Sequence, residues 1–132
     1  MVKRWTPALG MMLVLAAVPA SARPPRIAAL QSLQPGEWEL RARGEEQHPR
    51  RICARDVRRL LQTEHARHAC RMFVISDSNN AASVTYDCAA AGSGRTDIRV
   101  ETPRLAQIRS QGVANGAPFA SAMEARRVGD CR

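Results

Sequence analysis

An antiparallel β-meander of about seven strands, stapled by disulfides, is the fold the sequence predicts. Three observations carry it. Short segments alternate apolar and polar residues at period two. Two turn signals, at Asn79 and at Asn115-Gly116, each place apolar residues opposite apolar ones when the chain is folded there. Four cysteines stand in a chain whose presumed mature part is only about 110 residues, too short for a β/α barrel of roughly 250 residues. Hydrophobic residues are 45% of the chain but aromatics 4%, so the core is built from small aliphatic side chains and needs covalent help.

The elements follow in chain order. Lys3 and Arg4, the apolar run Ala8 to Val18 and the Ala20-Ser21-Ala22 site read as a secretory signal peptide over residues 1–22, cleaved after Ala22. The run is shorter than the roughly 20 residues of a membrane-spanning helix. The expected location is therefore periplasmic or secreted, with no membrane span. Residues 23–32 read as a flexible basic start, and 33–132 as a single domain. Pro35-Gly36 turns into Glu37–Arg43, where Trp38, Leu40 and Ala42 alternate with charges, a half-buried first strand with Trp38 in the core. After a polar loop, Arg50–Ala54 is a second strand carrying Cys53. Asp56 is a candidate N-cap for one short helix with Val57, Leu60 and Leu61 as its apolar face.

Folding the chain at Asn79 sets Cys70 against Cys88, Met72 against Tyr86 and Val74 against Val84, with Ser83, Thr85, Phe73 and Ile75 on the other face. This favours a Cys70–Cys88 bridge and leaves Cys53–Cys131. The pairing Cys53–Cys70 with Cys88–Cys131 stays open at this point. Gly92-Ser93-Gly94 reads as a flexible turn before a strand over Thr96–Glu101. Folding at Asn115-Gly116 pairs Ile108 with Met123, Ala106 with Ala125 and Gly112 with Phe119, and sets Gln107 against Glu124 and Arg109 against Ala122. If the meander closes into a small barrel, the last strand meets the first and brings Cys131 to Cys53.

Pro35-Gly36-Glu37-Trp38-Glu39, a first cysteine before a short helical segment, a second cysteine opening a hairpin, Tyr86-Asp87-Cys88 closing it and the ending Arg127-Val128-Gly129-Asp130-Cys131 resemble the domain of unknown function 3617 family of small exported bacterial proteins. The resemblance spans Leu33 to Cys131. It implies an exported four-cysteine domain and lends no catalytic or binding residue.

Charge and motifs narrow the function classes. Beyond the leader, 18 arginines and no lysine stand against 12 acidic residues, a net charge of +6. Arginine binds phosphate and carboxylate through planar bidentate bonds. Here the arginines are scattered, never more than two in a row, as solvated faces in an arginine-biased genome also give. With stacking aromatics so few, nucleic acid is not an expected partner. His65 and His68 with Glu64 have loose metal-ligand spacing, but they fall at the expected helix end beside Arg67, and no metal or cofactor is expected. The serines lie in no nucleophile-elbow context. The favoured reading is a monomeric, non-enzymatic domain that binds a small apolar or amphipathic ligand, or an envelope protein. Met72, Val74, Val84, Tyr86, Ile98, Ile108, Phe119 and Met123 are its candidate lining, the inward residues of the meander. The alternative is a small secreted hydrolase or metal-dependent enzyme using His48, His65 or His68.

Overall fold

The computed structural model describes Val2 and residues 17–19, 23–44 and 48–132. The leader reading therefore falls largely outside the described residues. Among the described residues seven strands form: β1 (Gly36–Ala42), β2 (Arg50–Ala54), β3 (Arg71–Asp77), β4 (Ala81–Asp87), β5 (Gly92–Thr102), β6 (Leu105–Ala114) and β7 (Ala117–Gly129). They make one sheet in the order β2-β1-β7-β6-β5-β4-β3, every pair antiparallel. The last strand does return to the first, but the sheet stays open, with β2 and β3 as edges. No barrel closes, because β1 already has β7 on one side and the short, arginine-bearing β2 on the other. The chain from β2 to β3 packs over the sheet instead of joining their edges.

The second hairpin has the register its sequence predicts, Ile108 facing Met123 and Gly112 facing Phe119. Asn115 and Gly116 take φ of 52° and 76°, the two positive values that a type I′ turn requires. In the first hairpin Met72 faces Tyr86 and Val74 faces Val84, but a bulge then makes Ser76, not Ile75, the partner of Ser83. Ile75 is the extra residue, and bulges are a common way of blunting an exposed edge strand.

Three further expectations are corrected. The single short helix forms as 3-10 turns, Val57–Leu61 and Thr63–His65, with no α-helix among the described residues. Asp56 caps it as predicted, accepting from the Arg58 N–H at 3.0 Å. Only five residues follow the cap, too few to offset helix nucleation, and the tighter turn sends both Leu60 and Leu61 into the core. Gly92-Ser93-Gly94 is not a turn but the start of β5, paired to Ala114, Val113 and Gly112. A Cβ on Gly94 would stand 2.6 Å from the Tyr86 hydroxyl, so the glycine admits a close approach rather than a bend. Within the supposedly flexible start, Ile27, Ala29 and Leu30 are buried, and the Ala28 and Ala29 N–H groups donate to the Asp77 carboxylate at 2.6 and 3.1 Å.

The core lies on one face of the sheet. Trp38 and Leu40 of β1, Val84 of β4, Ile98 and Val100 of β5, Ile108 of β6 and Met123 of β7 meet Leu30, Leu33, Leu60 and Leu61 from the covering segments. Trp38 is fully buried, and its indole N–H donates to the Gln34 carbonyl at 3.1 Å. Burial of an aromatic this size is worth about 5 kcal/mol as an upper estimate. The bridges are Cys53–Cys131 and Cys70–Cys88, with Cα atoms 5.5 and 4.3 Å apart. The first passes across β1: Glu37 pairs with Cys53 on one side and with Gly129, two residues before Cys131, on the other.

Candidate ligand groove

The segment between β2 and β3 builds a concave surface beside edge strand β3. Its 3-10 turn points Leu60 and Leu61 inward, which leaves Arg58 and Arg59 facing outward. Arg58 folds back on Asp56, its Nε donating to the two carboxylate oxygens at 3.0 and 2.9 Å. That hydrogen bond and the guanidinium charge hold the Asp56 carboxyl below the usual range, against a smaller opposing effect of burial. Arg59 donates to the Ala66 carbonyl. Buried Gln62 fastens the following loop, its amide donating to the His65 and His68 carbonyls at 2.7 and 2.8 Å. Cys70, bridged to Cys88, then starts β3.

These elements enclose a groove of about 570 Å³. Met72 and Phe73 supply its apolar wall, and Arg23, Arg58, Arg59 and Arg71 bring four guanidinium groups. Phe73 is 55% exposed on edge strand β3, paired with half-buried Thr85 of β4. Among the described residues Arg59 and Arg71 have no carboxylate ion-pair partner, whereas Arg58 has Asp56.

The eight residues expected to line a cavity are not gathered around one. Val84, Ile98, Ile108 and Met123 belong to the packed core, and Tyr86 is buried beside it. Met72 is partly buried and reaches the groove, Val74 is exposed at the β3 edge, and Phe119 is half-buried.

The three histidines have separate fates. His65 is buried, with Nδ1 at 3.1 Å from the Tyr86 hydroxyl and Nε2 at 2.9 Å from the Ala91 carbonyl. A carbonyl only accepts, so Nε2 carries the hydrogen and Nδ1 accepts from Tyr86. Both nitrogens are committed to structure. His68 is exposed with its ring 6.1 Å from that of His65, and His48 is exposed before β2. Burial pushes the Tyr86 phenol above its ordinary value, partly offset by the Ser110 hydroxyl. No group of three potential ligands among the described residues is placed to hold a metal ion.

The groove residues other than Met72 were not legible as a site. Arg58, Arg59 and Arg71 are lost among 18 similar side chains. Phe73 did carry a signal, an aromatic on the polar phase of a hairpin.

Fold and surface together define a disulfide-stapled, open β-meander with concave, arginine-lined surfaces. Residues 33–131 match the family model described as Protein of unknown function (DUF3617), and the chain belongs to that family. No curated protein and no solved structure matches the chain.

Proposed function

We propose that this is an exported, non-enzymatic domain that binds a small amphipathic ligand with an anionic head in the groove beside β3. The groove carries the reading: it sets exposed Phe73 and Met72 against Arg59 and Arg71, an apolar wall beside guanidinium groups without carboxylate partners among the described residues. Most binding sites for small molecules combine apolar surface with a few convergent polar groups in this way. Guanidinium supplies the planar donor pair suited to phosphate or carboxylate.

Export is supported by the leader pattern of residues 1–22 and by two disulfides, which persist in oxidising compartments. No helix among the described residues is long and apolar enough to cross a membrane. The location this implies is the periplasm or the extracellular medium. Mass spectrometry of the exported pool should find a chain that begins at Arg23.

Dodecyl phosphate, titrated below its micelle threshold into the oxidised protein, tests the groove, with dodecyl maltoside as the uncharged control. Amide shifts should cluster on Arg58–Gln62 and Ala69–Phe73. Arg71→Glu and Phe73→Ser should each weaken binding by roughly tenfold, about 1.4 kcal/mol. Equal binding of both detergents, or shifts confined to another surface, would overturn the reading.

A further inference from the structure

The far face of the sheet, away from the core, holds a second concavity that shares no residue with the groove. Pairing aligns Ser76, Ser83, Asp97 and Arg109 in one lateral row across β3, β4, β5 and β6. The residues on either side of them in β4, β5 and β6, Ala82, Val84, Thr96, Ile98, Ile108 and Ser110, are buried in the opposite face. The row therefore lies on the outer surface. Small side chains occupy its β3–β4 half and an arginine its β6 end, which leaves a hollow. Arg43, from the turn after β1, reaches over and donates to the Gln107 amide oxygen, closing one wall. The cleft has a volume of about 480 Å³.

Its polar groups are unevenly satisfied. Arg109 has no ion-pair partner among the described residues, and its cross-strand neighbour Asp97 has only a loose one, Arg95 at 3.7 Å. Ser83 is 6% exposed, and its hydroxyl oxygen has no hydrogen-bond partner among the described residues, a costly state for a buried polar group. Arginine at one end, a carboxylate beside it and hydroxyls at the other end fit neither an apolar ligand nor a bare anion. An apolar ligand would strip water from charged groups without replacing it, and a bare anion would face Asp97.

We infer that this cleft binds a small hydroxylated anion, a sugar acid or sugar phosphate. The anionic group lies against Arg109, with Arg43 beside it, while ring hydroxyls donate to the Asp97 carboxylate and pair with the Ser83 and Ser76 hydroxyls. Bidentate guanidinium bonds fix the charged end, and Asp97 selects for donors next to it.

Glucuronate and glucose 6-phosphate, titrated into the oxidised protein and followed by amide shifts, separate the two sources of charge. Glucose and inorganic phosphate are the controls. One or both sugar anions should bind at least tenfold more tightly than glucose or phosphate, with shifts centred on Ser83, Asp97 and Arg109. Arg109→Ala should remove that advantage, and Asp97→Asn should reduce it while improving binding of phosphate alone. Both side chains are exposed, and an unchanged remainder of the spectrum would certify the fold. Absence of sugar-anion binding, phosphate binding as tight as that of glucose 6-phosphate, or affinity that survives Arg109→Ala would each overturn the inference. Dodecyl phosphate binding at Arg71 and Phe73 reports on the other groove alone, so either site can fail without the other.

Discussion

A buried imidazole is stable only when both nitrogens are occupied, and His65 achieves this with one hydroxyl and one carbonyl. Tyr86→Phe keeps the ring packing, with centroids now 5.4 Å apart, but leaves Nδ1 without its donor. That change should cost about 1–3 kcal/mol, read as a lower urea midpoint at unchanged m-value. A variant as stable as the parent would mean that the hydroxyl does not support the histidine. Asp56 offers a pH-linked counterpart. Its carboxyl is held below the ordinary range, chiefly by the Arg58 hydrogen bond, and the carboxyls of Glu39 and Glu124 are lowered by Arg41 and Arg126. A depressed folded value adds stability above the unfolded pKa, and that gain is lost as pH falls through the folded value. Stability should therefore decline below about pH 4. Asp56→Asn should flatten part of the decline in urea midpoints, and a decline identical to the parent's would assign the linkage elsewhere.

The strands show how far local pattern carries. Period-two alternation and an Asn-Gly turn set the register of β6 and β7 because a one-residue slip would turn every apolar side chain to solvent. In β3 the same rule carried less far: the hairpin register sets Val74 against Val84, but on this edge strand Phe73, Val74 and Ile75 are all exposed, and a bulge at Ile75 breaks the predicted register beyond Val74. The glycines at the start of β5 misled in the other direction. They suggested a flexible turn, whereas Gly94 is a strand residue held small by Tyr86. Gly94→Ala should thus destabilise through crowding, by about 1–3 kcal/mol, because the new methyl meets a buried ring against the core. Thermal unfolding would show it, and Tyr86→Ala in the same chain should remove the crowding component. Additive losses in the double variant would locate the strain outside this pair.

At the scale of the molecule, an open sheet with few aromatics relies on its two bridges. Cys53–Cys131 closes a loop with a sequence separation of 78 and Cys70–Cys88 one of 18. Chain entropy alone values them at about 4.5 and about 3.2 kcal/mol. The longer bridge also joins edge strand β2 to the C-terminus across β1, whereas the shorter one reinforces a hairpin already paired through Met72–Tyr86 and Val74–Val84. Replacing both Cys53 and Cys131 by alanine should therefore lower the Tm more than replacing Cys70 and Cys88. Calorimetry of the two double variants decides it, and an equal or reversed order would show that native-state packing outweighs loop length.

What the residues determined by themselves was whatever depends on near neighbours or on pairing at fixed offsets. The β class, the strand at Trp38, the Asn115-Gly116 hairpin, the Asp56 cap and the register that sets Cys70 against Cys88 are of this kind, since each follows from a period, a turn or a matched register, whereas the choice between the two cysteine pairings waited for the fold. The tertiary structure alone decided what depends on residues distant in sequence. It left the sheet open, drew Ile27 and Leu30 into the core through Asp77, turned the helix into 3-10 turns and spread the eight expected lining residues between core and edge. It also brought Arg58, Arg59 and Arg71 beside Phe73, and Ser83 beside Asp97 and Arg109. No spacing announces such clusters, because a concave surface arises where separate elements leave space between them, and that space has no sequence of its own.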